Sequence, residues 1–130
     1  MNVLVDTQCW LWMQAEPERF GREGLSCIEE SENQLWLSAA SAWEIAIKYA
    51  LGKLPLPVPP AEYVPTRLER SATGELPVTC DHALRVAALP PYHRDPFDRL
   101  LVAQCQVERL RLLTADRQFE PYGLDIIWAE

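Results

Sequence analysis

Residues 3–7 of the chain read VLVDT, an apolar run that ends on the carboxylate of Asp6. Residues 112–116 read LLTAD and repeat the same order, with Asp116 after the apolar run. Short apolar runs of this kind are typical of buried parallel strands. Because sites in open parallel sheets form beyond the carboxyl ends of the strands, we expect Asp6 and Asp116 to lie close together.

The pattern between and around these two runs alternates between strands and helices. Strands are predicted over residues 1–5, 34–37, 76–79, 111–114 and 125–128. Helices are predicted over residues 7–14, 22–31, 39–51, 61–72, 82–88 and 95–110, with a turn of helix after Asp116 and an extended, proline-rich connector over residues 54–60. This alternation predicts an α/β fold, with helices on both faces of a mainly parallel central sheet. The length of 130 residues predicts a single domain over residues 1–130.

The composition limits the functional classes. A net charge of −7 argues against a broad basic face for nucleic acid, but permits an enzyme that meets phosphates through metal ions held by carboxylates. No apolar run approaches the roughly 20 residues of a membrane span, and the N-terminus lacks the pattern of a secretory signal. The four cysteines are widely spaced, which excludes a zinc ribbon and a disulfide-rich mini-protein. We therefore expect a reduced, cytoplasmic protein that does not enter membranes.

Two further carboxylates stand at unusual positions. Asp98 lies in the first turn of a predicted helix, and Glu44 lies inside an otherwise apolar helix. Several carboxylates in one pocket cannot all stay charged and unpaired, and a hard cation such as Mg²⁺ or Mn²⁺ resolves that conflict. Such a metal activates water and neutralises charge on a phosphoryl group. The sequence therefore predicts metal-dependent phosphodiester hydrolysis, with the metal bound by Asp6, Glu44, Asp98 and Asp116.

Each acidic residue also has a purely structural interpretation. Asp95 could cap the helix that contains Asp98, a role that its position favours, and Asp98 itself could stabilise the first turn. Glu44 could pair with the lysine one turn later. Asp116 could start a turn, and Asp6 could cap the next helix. The combination of positions, rather than any single residue, indicates a site.

These motifs resemble the PIN-domain family, and more closely its VapC-type ribonuclease toxins of prokaryotic toxin–antitoxin modules. The resemblance rests on Asp6-Thr7, SAWEIAIK at 41–48, GKL at 52–54, DPFDRLL at 95–101 and TAD at 114–116. It runs from Val3 to the last strand and implies a PIN-like α/β/α sandwich. The implied activity is that of an endoribonuclease that uses Mg²⁺ or Mn²⁺ and leaves a 5′-phosphate and a 3′-hydroxyl. The four family carboxylates carry over as Asp6, Glu44, Asp98 and Asp116.

The resemblance also implies partners: an RNA substrate, a small cognate antitoxin, a homodimer and a larger toxin–antitoxin assembly. The acidic pocket favours a basic inhibitor segment whose arginines approach the carboxylates. Trp10 and Trp12 point to different faces of one helix, so we expect one of them to lie at a partner interface together with residues 61–68. On this basis Trp12→Arg is predicted to weaken partner binding without unfolding the domain.

Other residues near the motifs are candidates for supporting roles. The hydroxyls of Thr7, Ser41 and Thr114 could orient the carboxylates or a metal-bound water. The candidates for RNA phosphate binding are Lys48, Arg94, Arg99 and Arg117, with Lys53 close by. For each of these, a surface salt bridge is the alternative. His93 invites a general-base role, but a loop histidine beside proline is more often structural, and metal-activated water needs no histidine.

Two other folds gather aspartates at parallel strand ends, and both fail on single residues. A receiver-like domain needs an adjacent acidic pair after the first strand, whereas Leu4 and Val5 precede a lone Asp6. A dehalogenase-like phosphatase needs a second aspartate where this chain has Gln8. A housekeeping PIN-type RNA-processing nuclease and a non-catalytic interaction domain remain open.

Overall fold

The computed structural model describes all 130 residues, arranged as five strands and six α-helices. The strands are β1 (Asn2–Val5), β2 (Gln34–Ser38), β3 (Thr73–Leu76), β4 (Arg111–Thr114) and β5 (Ile126–Trp128). The helices are α1 (Thr7–Ala15), α2 (Arg22–Glu29), α3 (Ala39–Ala50), α4 (Pro60–Arg70), α5 (Cys80–Arg85) and α6 (Pro96–Glu108). Short 3₁₀ turns cover Pro17–Arg19, Val86–Ala88 and Arg117–Tyr122. None of the helices combines the length and the apolar character needed to cross a membrane.

All five strands are parallel and are ordered β3-β2-β1-β4-β5. The central strand is β1, in which Leu4 pairs with Trp36 on one side and with Leu112 on the other. The predicted α/β/α sandwich is therefore confirmed, and its sheet is entirely parallel. Because β1 and β4 are neighbours, the residues that follow them emerge side by side.

The alternating side chains of β1 enter two different cores. Val3 and Val5 pack into the core formed with α1, α2, α3 and α4. Leu4 packs on the opposite face, in the core formed with α6 and the Arg117–Tyr122 turn. A strand with both faces covered must be apolar throughout, which is why its sequence shows a continuous run rather than an alternation.

Most predicted boundaries agree with the structure within one or two residues, but the third strand lies three residues earlier than predicted. It covers Thr73–Leu76 and pairs in parallel with Leu35–Ser38 of β2. Its sequence, TGEL, has little intrinsic strand preference, so tertiary pairing decides its conformation. Gly74 is required there because a Cβ would approach the Trp36 ring to 2.7 Å.

The prediction that Trp10 or Trp12 lies at a partner interface is wrong, because both are buried. Trp10 packs edge-on against Tyr63 of α4, with 6.4 Å between ring centroids. Trp12, on the other face of α1, packs edge-on against Phe20, with 5.9 Å between centroids. The segment after α1 folds back over Trp12, so both faces of the helix are covered. Trp12→Arg would therefore destabilise the fold, contrary to the prediction.

The stretch 61–68 does not supply the expected apolar docking surface either. Tyr63 and Val64 are buried in the core, and Leu68 is partly buried against it. The tryptophan that is exposed is Trp43, at 63%. It packs against Phe97 of α6, with 5.4 Å between ring centroids.

Candidate metal centre

Five carboxylates line one cavity of about 460 Å³ beside the carboxyl edge of the sheet: the four singled out from the sequence, Asp6, Glu44, Asp98 and Asp116, and that of Asp95. Asp6 directly follows β1, and Asp116 lies two residues after the neighbouring β4. Glu44 projects from the middle of α3, and Asp98 from the first turn of α6. The structure therefore brings together all four acidic residues that the sequence singled out, from four different elements.

Asp6 is the most firmly held of the four. Its side chain caps α1, with Oδ1 accepting the backbone N–H of Cys9 at 2.7 Å. Its other oxygen, Oδ2, accepts a hydrogen bond from the Thr114 hydroxyl. The same hydroxyl accepts the backbone N–H of Asp116 at 3.0 Å, so Thr114 links two of the carboxylate residues. Burial raises the pKa of Asp6, although these hydrogen bonds oppose the effect.

Glu44 has a cationic partner within its own helix. Its carboxylate is buried, and Lys48 places its ammonium nitrogen 2.9 Å from Oε2. The hydrogen bond with Glu44 raises the pKa of Lys48, whose side chain is half-exposed. The pairing expected of a structural glutamate is thus present, but it occurs inside the carboxylate cavity rather than on a solvated helix face.

Asp98 carries the clearest electrostatic sign of a site. Burial, followed by the negative charges of Asp95 and Glu44, raises the pKa of Asp98 to about 8. Asp95 also caps α6, because its Oδ1 accepts the backbone N–H groups of Phe97 and Asp98. The capping role predicted for Asp95 is therefore present, and the same carboxylate lines the cavity. A carboxyl group at such a position ionises readily only when a cation is near.

Asp116 and Asp98 meet a histidine at the edge of the cavity. His93 Nε2 lies 3.0 Å from Asp98 Oδ2 and 3.7 Å from Asp116 Oδ2, and the three ligand-type atoms lie within 4.8 Å of one another. The imidazole is buried and packs against Phe119, with 5.8 Å between ring centroids. The sequence favoured a structural or exposed position for His93 and left its part in the site open, since the spacing to Asp98 and Asp116 does not predict this approach.

The other two hydroxyls that were expected to orient carboxylates bond to each other. Thr7 donates its hydroxyl hydrogen to Ser41 Oγ at 2.8 Å, which ties α1 to α3. Neither hydroxyl is hydrogen-bonded to a carboxylate. Their effect on the site is therefore indirect. They hold α1, which Asp6 caps, against α3, which carries Glu44.

The basic residues near the motifs differ in what they contact. Two lysines line the cavity, Lys48 and Lys53. Arg99 donates to the carbonyl oxygens of Val86, Leu89 and Pro90, so its guanidinium is already engaged by the backbone. Arg117 is exposed and stacks over Trp128, with 3.8 Å from the guanidinium carbon to the ring centroid. Arg94 is exposed and lies outside the cavity lining.

The donor set fits a hard divalent cation. The ligand atoms available in the cavity are mainly carboxylate oxygens, which Mg²⁺ and Mn²⁺ prefer over sulfur or nitrogen ligands. Cys9 also lines the cavity, but burial and the Asp6 charge raise the pKa of its thiol, so it does not offer a thiolate. This arrangement is suited to metal-assisted hydrolysis of a phosphate ester.

The chain is similar to known proteins over most of its length. The model of the PIN domain matches residues 3–123 of the chain. Ribonuclease VapC22 of Mycobacterium tuberculosis is 29% identical over 122 residues, covering 93% of this chain and 92% of that protein. Ribonuclease VapC16 of the same organism is 52% identical over 61 residues, but these are 47% of this chain and 42% of that protein. The chain therefore matches less than half of VapC16 and nearly all of VapC22.

A solved structure shares the fold over almost the full chain. It is VapBC2 from Rickettsia felis bound to a DNA fragment from its promoter. The match has a TM-score of 0.67 and covers 97% of each chain, at 14% sequence identity. At this identity the likeness concerns the fold alone.

Proposed function

The chain belongs to the PIN-domain family, and on this premise we propose that it is an endoribonuclease toxin that uses Mg²⁺ or Mn²⁺. The observation that carries the proposal is the convergence of Asp6, Glu44, Asp98 and Asp116 in one cavity. The raised pKa of Asp98 supports it, because the electrostatics of the cavity favour an added positive charge. The relatives VapC16 and VapC22 are named as ribonucleases, in agreement with this activity.

In this proposal the four carboxylates hold the divalent cation. When bound, the cation would supply Lewis acidity toward the phosphodiester and toward the attacking water. Thr114 keeps the Asp6 carboxylate in one orientation through its hydroxyl, and Cys9 does so through its backbone N–H. Ligands that are fixed in this way need little reorganisation when the cation binds.

The proposed RNA contacts begin with the two lysines of the cavity. Lys48 is half-exposed, and Lys53 lies on an exposed turn after α3, so both can reach phosphates that approach the cavity. Arg94 and Arg117 are exposed and would extend the contact away from the cavity. A protein of net charge −7 repels the phosphates of RNA, and these basic side chains would offset that repulsion locally, around the cavity.

We further propose a small cognate antitoxin as the partner, since the compared Rickettsia felis structure is a VapBC complex. A basic segment of the antitoxin would place arginines against the cavity carboxylates and so compete with the cation. A homodimer within a larger toxin–antitoxin assembly and a cytoplasmic location complete the proposal, with residues 1–130 acting as one PIN-like domain.

The proposal is tested by RNA cleavage with purified protein freed of any bound inhibitor. Total cellular RNA is incubated with Mn²⁺ or with a chelator, and the new ends are mapped and tested for a 5′-phosphate. We expect cleavage with Mn²⁺ only, and its loss in Asp6→Asn, whose amide oxygen can still accept the Cys9 N–H. Glu69→Gln, an exposed carboxyl-to-amide change at the end of α4, serves as the control.

Cleavage that is absent with Mn²⁺, or unchanged in Asp6→Asn, would contradict the proposal and leave an interaction domain as the alternative. The toxin role is tested separately by expression in cells. Growth arrest that Asp6→Asn abolishes, and that co-expression of the antitoxin relieves, distinguishes a toxin from a housekeeping nuclease. Normal growth combined with RNA cleavage in vitro would favour the housekeeping role.

A further inference from the structure

His93 is held so that its ring nitrogens have different functions. The backbone N–H of Asp95 donates to Nδ1 at 3.2 Å, so Nδ1 must present a lone pair. In a neutral imidazole the proton then resides on Nε2. The ring cannot move far from this position, because it is nine-tenths buried and packs against Phe119.

His93 Nε2 lies close to two carboxylates of the cavity. It lies 3.0 Å from Asp98 Oδ2 and 3.7 Å from Asp116 Oδ2, yet neither contact has the alignment of a full hydrogen bond. A buried donor without an aligned acceptor is destabilising unless a partner becomes available. Small rotations of the two carboxylates would supply that partner.

We propose that His93 is a positioning residue, which donates its Nε2–H to Asp98 and Asp116 and so orients both carboxylates for the divalent cation. This inference rests on the proposed function, since it assigns the cation to those carboxylates. Asp95 has a second role in this arrangement, because its backbone N–H sets the imidazole tautomer. Hydrogen-bonded partners of this kind fix metal-ligating side chains in other metalloproteins.

The competing role for His93 is that of a direct metal ligand. Its Nε2 is close enough to both carboxylates for a shared metal site. Ligation through Nε2 would require the proton on Nδ1, where it would face the N–H of Asp95 at 3.2 Å. Two donors facing each other are unfavourable in a buried position, so the backbone favours the donor role over the ligand role.

The first test is spectroscopic and needs no activity. Long-range ¹H–¹⁵N correlation spectra of the metal-free protein report which imidazole nitrogen carries the proton. The chain has two histidines, and the signals that disappear in His93→Gln identify those of His93. We expect a protonated Nε2 and a bare Nδ1 in the metal-free protein and also after addition of Mg²⁺. A proton on Nδ1 in either state would overturn the inference.

The second test measures Mn²⁺ affinity by calorimetry in two variants that separate the nitrogens. His93→Asn can keep the acceptor for the Asp95 N–H but has no donor at the Nε2 position, and we expect about a tenfold loss of affinity. His93→Gln can place an amide N–H near Nε2 and should recover most of that loss. Wild-type affinity in His93→Asn, or an equal loss in both variants, would contradict the positioning role.

His82 provides the matched control for these variants. It is also buried, and its Nε2 lies 2.7 Å from Glu108 Oε2, away from the cavity. His82→Gln should leave Mn²⁺ affinity unchanged. If the wild-type protein itself fails to bind Mn²⁺, the proposed function fails, while the tautomer measurement still decides the state of His93. If His93→Asn does not fold, the tautomer measurement on the wild-type protein still tests the inference.

Discussion

Replacing Asp98 with asparagine should stabilise the metal-free protein at neutral pH, although it removes a proposed metal ligand. The pKa of Asp98 is raised from 3.8 to about 8 in the folded protein. Between these values the folded carboxyl keeps its proton, whereas the unfolded chain has released it. Because the folded state binds more protons, the free energy of unfolding decreases as the pH rises through this range. An asparagine at this position does not titrate, so the variant does not lose stability as the pH rises through this range.

The size of the effect follows from the pKa difference. At pH 7, with about 1.4 kcal/mol for each pKa unit, the buried carboxyl lowers the stability by at most about 4 kcal/mol. The Asp98 side chain is 19% exposed, and solvent screening reduces the expected value to about 2 kcal/mol. Asparagine also keeps an oxygen that can accept the Nε2–H of His93, so no hydrogen-bonding group is lost.

Urea unfolding of the metal-free proteins at pH 5 and pH 7.5 measures this effect. Asp98→Asn should be more stable than the wild type at pH 7.5, and the difference should shrink at pH 5. Saturating Mn²⁺ should reverse the order, since a ligand at 100 times its Kd stabilises the wild type by about 2.7 kcal/mol. Glu69→Gln, on the exposed end of α4, should follow the wild type throughout.

Two results would refute this reasoning. A metal-free wild type that is at least as stable as Asp98→Asn at pH 7.5 would mean that neither burial nor the neighbouring carboxylates disfavour the ionised form of Asp98 in the folded state. A difference between the two proteins that does not vary with pH would mean that the effect has a cause other than the ionisation of Asp98.

Further substitutions test the contacts around the carboxylates and the burial of α1. Thr114→Val removes the hydroxyl that donates to Asp6 and should lower the free energy of urea unfolding by about 1–3 kcal/mol. Trp12→Arg places a charge at a buried position and should cost about 3 kcal/mol or more in the same assay, whereas wild-type stability would argue against that burial. Lys48→Met removes the ammonium that competes for Glu44 and should strengthen Mn²⁺ binding by up to about fivefold in calorimetry. Unchanged affinity would mean that this ion pair persists beside the cation.

The sequence was sufficient to predict the parallel sheet and the convergence of its carboxylates. Asp6 and Asp116 each follow an apolar run, and parallel pairing of β1 with β4 places the ends of both runs together. Asp98 was singled out by its place in the first turn of a predicted helix, and the position of Glu44 was informative for a different reason. A charged residue flanked by apolar neighbours on a helix is unusual on a solvated face, so its burial could be anticipated.

Other features depend on tertiary contacts that no local pattern records. Both tryptophans of α1 are buried because the chain after α1 returns over Trp12, which an i, i+2 spacing cannot reveal. The third strand forms on TGEL because β2 offers an edge with which these four residues pair. His93 reaches Asp116 across 23 residues, and their distance depends on the path of the loop before α6.

The cavity already contains cationic and donor groups that partly neutralise its carboxylates. Lys48 pairs with Glu44, and His93 Nε2 lies 3.0 Å from Asp98 Oδ2, but no cationic group is paired with Asp6. Burial and the neighbouring negative charges still raise the pKa of Asp98 to about 8, so this internal compensation is incomplete. The remaining negative charge can be neutralised by protons, by a divalent cation or by the arginines of a partner. Because these three compete for the same oxygens, catalysis and inhibition in the proposed toxin become linked through the charge of one cavity.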